Sequence, residues 1–240
     1  MPRSRRRIPR LPQPLRAISA LLFTRHVIRD RRDGTEYVSS FWPFLRTRSV
    51  FIHIPKAAGI SVATALYGAF GGGHLEYSRY EQLFGRRILK KLFVFTVVRN
   101  PFDRLRSAFW FLKAGGMTQE DAAWSDAHLS SVTFERFVVE MLRDPTILGY
   151  YHFRPQLQYL VDSRGQVSVD FIGRYETLQK DFDAVCARLQ LRGRLPKLNV
   201  GPSPSASVQW TAEMIDAVRE AYALDFSRLG YDDTPTMTGP

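Results

Sequence analysis

The 240-residue chain contains a single cysteine and lacks any long apolar run in its N-terminal region. One cysteine cannot form an internal disulfide, which suits a reducing compartment and argues against a small secreted disulfide scaffold. Cys186 lies among apolar residues at helical spacing, so we interpret it as a packing residue rather than a nucleophile. The longest apolar stretch in the N-terminal region, residues 20–23, is far shorter than the roughly 18–20 residues that span a bilayer.

Metal-ligand clusters and a secretory signal are lacking as well. No pair or group of His, Cys and carboxylate residues has metal-ligand spacing, so the sequence implies no metal. The N-terminal region has no apolar segment followed by a small-residue cleavage site. We therefore expect a cytoplasmic protein without a transmembrane span.

Acidic residues are scarce near the N-terminus, where the positive charge of the chain is concentrated. Residues 1–48 hold 12 Lys and Arg against 3 Asp and Glu, whereas the remaining 192 residues hold 22 against 20. The opening arginines alternate with prolines, which is typical of a solvated, disordered arm, and residues 15–28 could form a short basic amphipathic helix. This leader could contact an anionic membrane at the inner face, attract a polyanionic acceptor, or merely aid solubility.

Length and composition indicate one α/β domain. A chain of this size with 45% hydrophobic residues can bury a sizeable core as a single unit. We predict a basic leader over residues 1–47, a domain over 48–232 and a flexible tail over 233–240. Within the domain, apolar spacing predicts helices over 133–143, 177–191 and 211–229, and a strand over 167–172.

Residues 50–61 predict a phosphate-binding turn, because a β-branched apolar run leads into a Lys-x-x-Gly-x-Ser turn and then a helix. Backbone N–H groups at a helix N-terminus, one small residue, one cation and one hydroxyl suit a dianionic group. Here Lys56 is the cation, Gly59 the small residue and Ser61 the hydroxyl. The order differs from the nucleoside-triphosphate loop, which carries its Lys directly before Ser or Thr. Taken alone, residues 50–61 could also be a structural strand, turn and helix with no role in binding.

Residues 92–109 predict a second anion site with the same plan. Arg99 follows a continuous apolar run typical of a buried parallel strand, and Asn100 and Pro101 are suited to begin a helix. Open α/β sheets bind ligands at the carboxyl ends of their strands, where Arg99 would lie. Its guanidinium and the hydroxyl of Ser107 suit a second phosphate. Two anion sites at two strand ends indicate a ligand with phosphates at both ends.

With both motifs in hand, the sequence resembles the sulfotransferase superfamily, specifically its carbohydrate sulfotransferase branch. The family's 5′-phosphosulfate motif resembles Pro55-Lys56-Ala57-Ala58-Gly59-Ile60-Ser61, and its 3′-phosphate motif resembles residues 98–107. Weaker resemblance continues through residues 171–176 and 195–199, so it covers roughly residues 48–232. The resemblance implies a P-loop-like, three-layer α/β fold with a central, mainly parallel sheet flanked by helices. It also implies a transferase that uses 3′-phosphoadenosine 5′-phosphosulfate (PAPS) and no metal.

The resemblance implies a donor site made of Lys56, Ala57, Ala58, Gly59, Ile60, Ser61, Arg99, Ser107, Lys197 and Asn199. Family members commonly carry Thr where this chain has Ala57 and Ile60, so two hydroxyl donors to the 5′-phosphate are missing. Lys197 and Asn199 belong to a Pro/Ser-rich segment that tends to cover the nucleotide in this family. An ordinary surface loop is the alternative interpretation of that segment.

The implied reaction is an in-line attack of an acceptor hydroxyl on sulfur, with adenosine 3′,5′-bisphosphate (PAP) leaving. Lys56 would stabilise the charge that builds on the bridging oxygen. His74 lies in a glycine-rich loop where family members have a matching or nearby His, and its imidazole can accept the hydroxyl proton near neutral pH. Glu76 is the second choice as base. A solvated loop histidine is the alternative for His74, and we expect His53 to be a core or strand-end residue.

The acceptor site is less clearly marked in the sequence. Aromatic and amide side chains around residues 150–158 suit a sugar, so Arg154, Gln156 and Gln158 are candidate acceptor contacts together with Glu76. Core packing is the alternative for this aromatic segment.

We predict a cytoplasmic, PAPS-dependent sulfotransferase that modifies a carbohydrate hydroxyl. A kinase-like phosphoryl transferase is one rival, but it would need a magnesium-binding Ser or Thr directly after the loop lysine. An inactive sulfotransferase fold, whose basic arm binds a polyanion or a membrane, is the other. Nucleic acid is the less suitable polyanion, because the domain is nearly neutral and carries no motif that reads DNA or RNA.

Overall fold

The computed structural model describes residues 26–68, 70–196 and 208–235, which alternate between strands and helices. The elements up to the second strand of the main sheet are β1 (His26–Arg29), β2 (Glu36–Ser39), α1 (Trp42–Thr47), β3 (Ser49–Ile52), α2 (Gly59–Tyr67), α3 (Tyr77–Phe84), α4 (Arg86–Leu89) and β4 (Phe93–Val98). The elements after it are α5 (Pro101–Lys113), α6 (Gln119–Leu129), α7 (Phe134–Arg136), a π-helical turn (Phe137–Met141), α8 (Pro145–Leu148), α9 (Gln156–Leu160), β5 (Phe171–Arg174), a 3₁₀-helical turn (Tyr175–Thr177), α10 (Leu178–Leu189), α11 (Ala212–Ala221) and α12 (Ala223–Leu229).

The central sheet has the order β3-β4-β5, and both neighbouring pairs are parallel. Every β3 residue is buried, as is β4 from its second residue onward, which is typical of parallel strands covered on both faces. The hydroxyl of Thr96, the polar side chain within β4, donates to the carbonyl of Ile52 at 2.8 Å and so is satisfied inside the core. The predicted α/β fold with a parallel sheet flanked by helices is confirmed.

The carboxyl ends of the three strands lie at one edge of the sheet, because all three run in the same direction. The turn after β3 leads into α2, and the segment after β4 leads into α5. Asn100 caps α5 as predicted: its side-chain oxygen accepts a hydrogen bond from the N–H of Phe102 at 2.9 Å. Both predicted anion sites therefore lie on the same edge, where such sheets bind their ligands.

Two apolar clusters hold the layers together. The first contains β3 and β4 with side chains of α2, α3 and α10, and the second contains α5, the π-helical turn, α11 and α12. Aromatic rings dominate the second cluster, and Phe109, Phe137 and Phe153 are fully buried there. Full burial of one such side chain contributes about 1.5–3 kcal/mol. These clusters fix α2 and α5 relative to the sheet and so fix the two anion sites.

The described part of the predicted leader packs against the domain. Strands β1 and β2 form an antiparallel hairpin, and Phe44 of α1 is buried against the rings of Tyr67 and Tyr80. The amphipathic helix predicted over residues 15–28 is wrong for residues 26–28, which belong to β1, because their backbone pairs with β2. The rest of that prediction, like the tail from residue 236, lies outside the described residues.

Other helices and strands differ from the predictions in the residues at which they begin, end or break. The helix predicted over 177–191 is present as α10, but the one predicted over 211–229 is divided at Tyr222, whose backbone leaves the helical region. The hydroxyl of Tyr222 donates to the carbonyl of Phe153 at 2.7 Å, which holds the break against the core. The helix predicted over 133–143 is a short α7 followed by the π-helical turn. The strand predicted over 167–172 begins only at Phe171.

Cys186 is buried on α10 with a free thiol, and burial raises the pKa of that thiol. It therefore has the packing position that the sequence predicted and not the environment of a reactive thiolate. Across residues 26–68, 70–196 and 208–235, no helix combines the length and apolar character needed to cross a bilayer.

Candidate active site

The turn between β3 and α2 has the backbone of an anion-binding site. Lys56 and Ala58 have positive φ angles of 66° and 62°, a left-handed conformation that residues other than glycine seldom adopt. Such alternation along a turn directs successive backbone N–H groups toward one side, where they can bind an anion. Among the described residues, the N–H groups of residues 57–60 find no hydrogen-bond acceptor. These amides are thus open to a phosphate group.

Gly59 begins α2 directly against the ring of His53. A Cβ atom at residue 59 would lie 1.8 Å from Cδ2 of His53, so any larger residue would push the helix away. His53 is buried just after β3, as predicted, and burial lowers its pKa well below the ordinary value. The small residue of the motif is therefore required by helix packing, whereas the sequence suggested that it lets the ligand approach.

Lys56 lies in an enclosed, positively charged environment. Its Nζ is 4.0 Å from the centroid of the Phe111 ring, a contact of the cation–π type. Burial lowers the pKa of Lys56 to about 7, helped by repulsion from Arg99 and Arg32 and partly offset by Asp121. The ammonium group would regain its full charge beside a bound dianion, because a nearby negative charge favours the protonated form.

Arg99 lies next to Lys56, so the two motifs, which the sequence predicts as separate sites at two strand ends, meet in the fold. Its Nη1 donates to the carbonyl of Lys56 at 3.2 Å, and its Cζ is 4.1 Å from the centroid of the Tyr175 ring. Burial lowers the pKa of Arg99, although a guanidinium remains protonated in proteins. Three consecutive strand ends thus contribute to one site: β3 supplies Lys56, β4 supplies Arg99 and β5 supplies Tyr175.

Gln156 holds the backbone of Arg99 from both sides. Its Oε1 accepts from the N–H of Arg99 at 2.9 Å, and its Nε2 donates to the carbonyl of Arg99 at 2.8 Å. Gln156 is fully buried, and its own backbone N–H donates to Asp225 at 2.8 Å. The sequence assigned Gln156 to the acceptor, but its amide is already occupied, so it acts as a positioning residue for Arg99.

Ser107 lies on α5, in the second turn after the helix begins. Its side chain is half-buried, and its hydroxyl has no hydrogen-bond partner in the described part of the chain. Its predicted neighbours on the helix are engaged elsewhere: Asp103 pairs with Arg106 at 3.3 Å, and Arg104 is buried against backbone carbonyls of residues 152–154. Ser107 is therefore free to contact a ligand, as its predicted role requires.

His74 is brought into the site by the glycine-rich loop. Its Nδ1 is 2.9 Å from the carbonyl of His53, and since a carbonyl only accepts, the neutral ring carries its proton on Nδ1. The lone pair then lies on Nε2, which is the form that a general base needs. Burial lowers the pKa of His74 to about 4, with a contribution from His152, so the ring is neutral at pH 7.

Asp121, which the sequence did not single out, collects hydrogen bonds beside His74. Its carboxylate accepts from Tyr151, from Tyr150 at 3.2 Å, from Nε2 of His152 at 3.2 Å and from the N–H of Met117 at 2.9 Å. Burial alone would raise the pKa of Asp121, but these hydrogen bonds, led by that from His152, hold it below its usual range. The one signal in the sequence was the helix-capping box with Thr118, which indicates a structural role.

The remaining predicted site residues are only partly brought together. Glu76 and Arg154 form an ion pair, so the second-choice base is held by a cation. Gln158 is exposed on α9, whereas Gln156 on the same helix is buried. Lys197 and Asn199 lie outside the described residues. Within the described ranges, His, Cys, Asp and Glu side chains form no group of three or more that could hold a metal ion.

A parallel sheet with two cations and open backbone amides at its carboxyl edge has the arrangement of an α/β enzyme site and suits a phosphorylated ligand. The chain belongs to the sulfotransferase family: the model of that family matches residues 47–232, most of the chain. This membership makes the protein a sulfotransferase, an enzyme that transfers a sulfuryl group to an acceptor. No curated protein and no solved structure matches the chain significantly.

Proposed function

We propose that the protein transfers a sulfuryl group from PAPS to a hydroxyl of a carbohydrate. The observation that carries the proposal is the direct contact between the two anion sites, in which Nη1 of Arg99 donates to the carbonyl of Lys56. Two cations fixed at neighbouring strand ends suit a ligand with an anionic group at each end. Family membership supports sulfuryl transfer in general, and the donor and acceptor are inferred from these residues.

The residues present fit the two ends of PAPS. The open amides of residues 57–60 and the ammonium group of Lys56 would hold the 5′-phosphosulfate end. Arg99 and the unpaired hydroxyl of Ser107 would hold the 3′-phosphate. The missing Thr hydroxyl at Ala57 is explained by packing, because this methyl group is buried in the core. Backbone amides therefore replace hydroxyl donors at the 5′ end.

PAPS would supply an activated sulfuryl group. The side chains around it would stabilise the leaving group, accept the proton of the hydroxyl and orient the base. Lys56, once charged, stabilises negative charge on the departing phosphate. His74 offers the lone pair of Nε2 to the proton of the attacking hydroxyl. Asp121 holds Tyr151 and His152 around His74, whose ring stacks on Tyr151 with 5.3 Å between centroids. The base is thereby kept in one orientation.

A carbohydrate acceptor is supported by the groups that surround His74. Aromatic faces and charged hydrogen-bonding groups together suit a sugar, which has apolar ring faces and polar edges. Tyr151 supplies an aromatic ring, and the half-buried pair of Glu76 and Arg154 supplies charged donors and acceptors. The nearest alternative is a phosphoryl transfer from ATP, which the same cations could bind.

The proposal is tested by release of PAP from PAPS in the presence of a panel of carbohydrates. We expect release that depends on a carbohydrate and needs no magnesium, and little release in the Lys56→Gln variant. ATP with magnesium serves as the competing donor. Transfer from ATP, with no acceptor-dependent release from PAPS, would replace the proposal by a kinase activity.

Binding of PAP at pH 8 is expected to take up close to one proton. Lys56 has a pKa of about 7 in the free protein, so it is mostly neutral at pH 8, and a phosphate beside it raises that pKa. The complex then binds more protons than the free protein, so affinity falls as the pH rises above 7. Calorimetry at pH 8 in buffers of different ionisation enthalpy measures the uptake.

The Lys56→Gln variant is the control for this proton, because its amide does not titrate. It should bind PAP more weakly and without proton uptake. Equal uptake by the variant and the wild type would show that another group takes the proton, and no uptake by the wild type would place Lys56 away from the phosphate.

A further inference from the structure

The β1–β2 hairpin precedes the segment that matches the family, yet it contacts the loop that carries His74. The carbonyl of Val38 accepts from the N–H of Phe70 at 2.7 Å, and the hydroxyl of Ser39 donates to the carbonyl of Gly71 at 2.6 Å. These bonds lie only a few residues before His74. The hairpin therefore supports one side of the active site.

The turn of the same hairpin contacts the opposite side. The backbone N–H of Arg31 donates to the carbonyl of Met117 at 2.9 Å, and its Nη1 donates to the carbonyl of Gly115 at 2.9 Å. Met117 in turn donates its N–H to Asp121. One element thus joins the loop of His74 to the loop that precedes α6, the helix on which Asp121 lies.

Arg32, next in the turn, points a fixed cation into this site. Its Nε donates to Asp30 at 2.9 Å and its Nη2 pairs with the same carboxylate at 2.5 Å, while Asp30 is fully buried. Its Cζ lies 5.4 Å from the centroid of Phe111, the ring that also contacts Lys56. Nη1 of Arg32 has no hydrogen-bond partner among the described residues, and 27% of the side chain is exposed.

We propose that the hairpin completes the active site and that Arg32 binds an anionic group of the acceptor, a carboxylate or a sulfate ester. This inference rests on the proposed function. Lys56 and Arg99 account for the two anionic ends of the donor, whereas Arg32 reaches the site from a different element. Nη1 and the second N–H of Nη2 form an edge that matches two oxygens of such a group. The pairing with Asp30 fixes this edge, which lowers the entropy lost on binding.

The test uses the full chain loaded with PAP and three tetrasaccharides of equal length. Hyaluronan tetrasaccharide carries carboxylates, 6-O-sulfated chitotetraose carries sulfate esters, and chitotetraose is neutral. We expect the wild type to bind at least one charged probe about tenfold more tightly than the neutral one, since a hydrogen bond to a charged group contributes about that factor. The charged probe that is preferred identifies the anionic group.

Arg32→Gln should lose this preference. Its affinity for PAP should stay within about twofold of the wild type, because the variant keeps Lys56 and Arg99, the two cations proposed to bind the nucleotide. Arg29→Gln is the matched control: Arg29 is exposed on β1 of the same hairpin and should keep the preference. Equal loss of the preference for a charged tetrasaccharide in both variants would overturn the role of Arg32 but not the proposed function. A wild type that binds PAP and shows no such preference would have the same meaning. Weaker PAP binding in Arg32→Gln would assign Arg32 to the donor and overturn it too. A folded wild type that fails to bind PAP would instead remove the proposed function.

Discussion

Replacement of Lys56 by Gln is expected to lower kcat for sulfuryl transfer about 100- to 1,000-fold, the usual loss when one electrostatic contact to a developing charge is removed. Lys56 is the cation beside the open amides of residues 57–60, the proposed 5′ site, and its Nζ lies 4.0 Å from the centroid of the Phe111 ring. Gln keeps a similar volume and a hydrogen-bond donor but no charge. Steady-state kinetics with saturating PAPS measures the loss in the chemical step rather than in binding.

The same variant should be as stable as the wild type or more stable at pH 6. Because burial lowers the pKa of Lys56 to about 7, the folded state carries the cost of a buried charge below that pH. Gln removes that cost. Lys180→Gln, an exposed lysine on α10, is the matched control and should leave kcat unchanged. A normal kcat in Lys56→Gln would remove Lys56 from the chemistry.

Replacement of His74 by Ala is expected to lower kcat about 100- to 10,000-fold, the range that general bases contribute. Nδ1 of His74 is occupied by the carbonyl of His53, so Nε2 is the atom available to the acceptor. Affinity for PAP should change little, because the amides of residues 57–60 and both donor cations remain. Kinetics and PAP calorimetry on the same preparation separate the two effects.

Glu76→Gln is the comparison for this prediction, since Glu76 is the other candidate base. Its carboxylate is already paired with Arg154, so we expect a smaller loss, expressed mainly in KM for the acceptor. A larger fall in kcat for Glu76→Gln than for His74→Ala would reverse the assignment of the base.

The main sheet and the position of the two predicted anion sites at its carboxyl edge could be predicted because each depends on local sequence. Residues 50–61 and 92–109 each encode a strand, a turn and a helix start within one short segment. Parallel pairing then brings the two turns to the same edge, where Nη1 of Arg99 donates to the carbonyl of Lys56. Physical rules of strand ends and helix caps were sufficient for this part.

The parts that were missed depend on contacts between distant segments. Gln156 bonds Arg99 from 57 residues away, and nothing local distinguishes its buried amide from the exposed one of Gln158. Asp121 was not predicted as a site residue, because its position in a helix-capping box with Thr118 indicates a structural role. The sequence places the hairpin that carries Arg32 in a basic leader, because short polar strands give little periodic signal and a charge-rich composition resembles disorder.

Calorimetric binding of PAP to the wild type, compared with Arg99→Ala and with adenosine 5′-phosphate as control ligand, tests whether the two strand-end cations bind a doubly phosphorylated nucleotide. We expect the wild type to bind PAP, and we expect that removing either Arg99 or the 3′-phosphate weakens binding about 10- to 100-fold, the contribution of charge-assisted hydrogen bonds. Removing the Arg99 side chain and the 3′-phosphate together should weaken binding little more than removing either one, because the two groups form the same contact. A folded wild type that binds neither ligand, or binds both equally, would contradict the assignment of the strand-end cations to a doubly phosphorylated nucleotide.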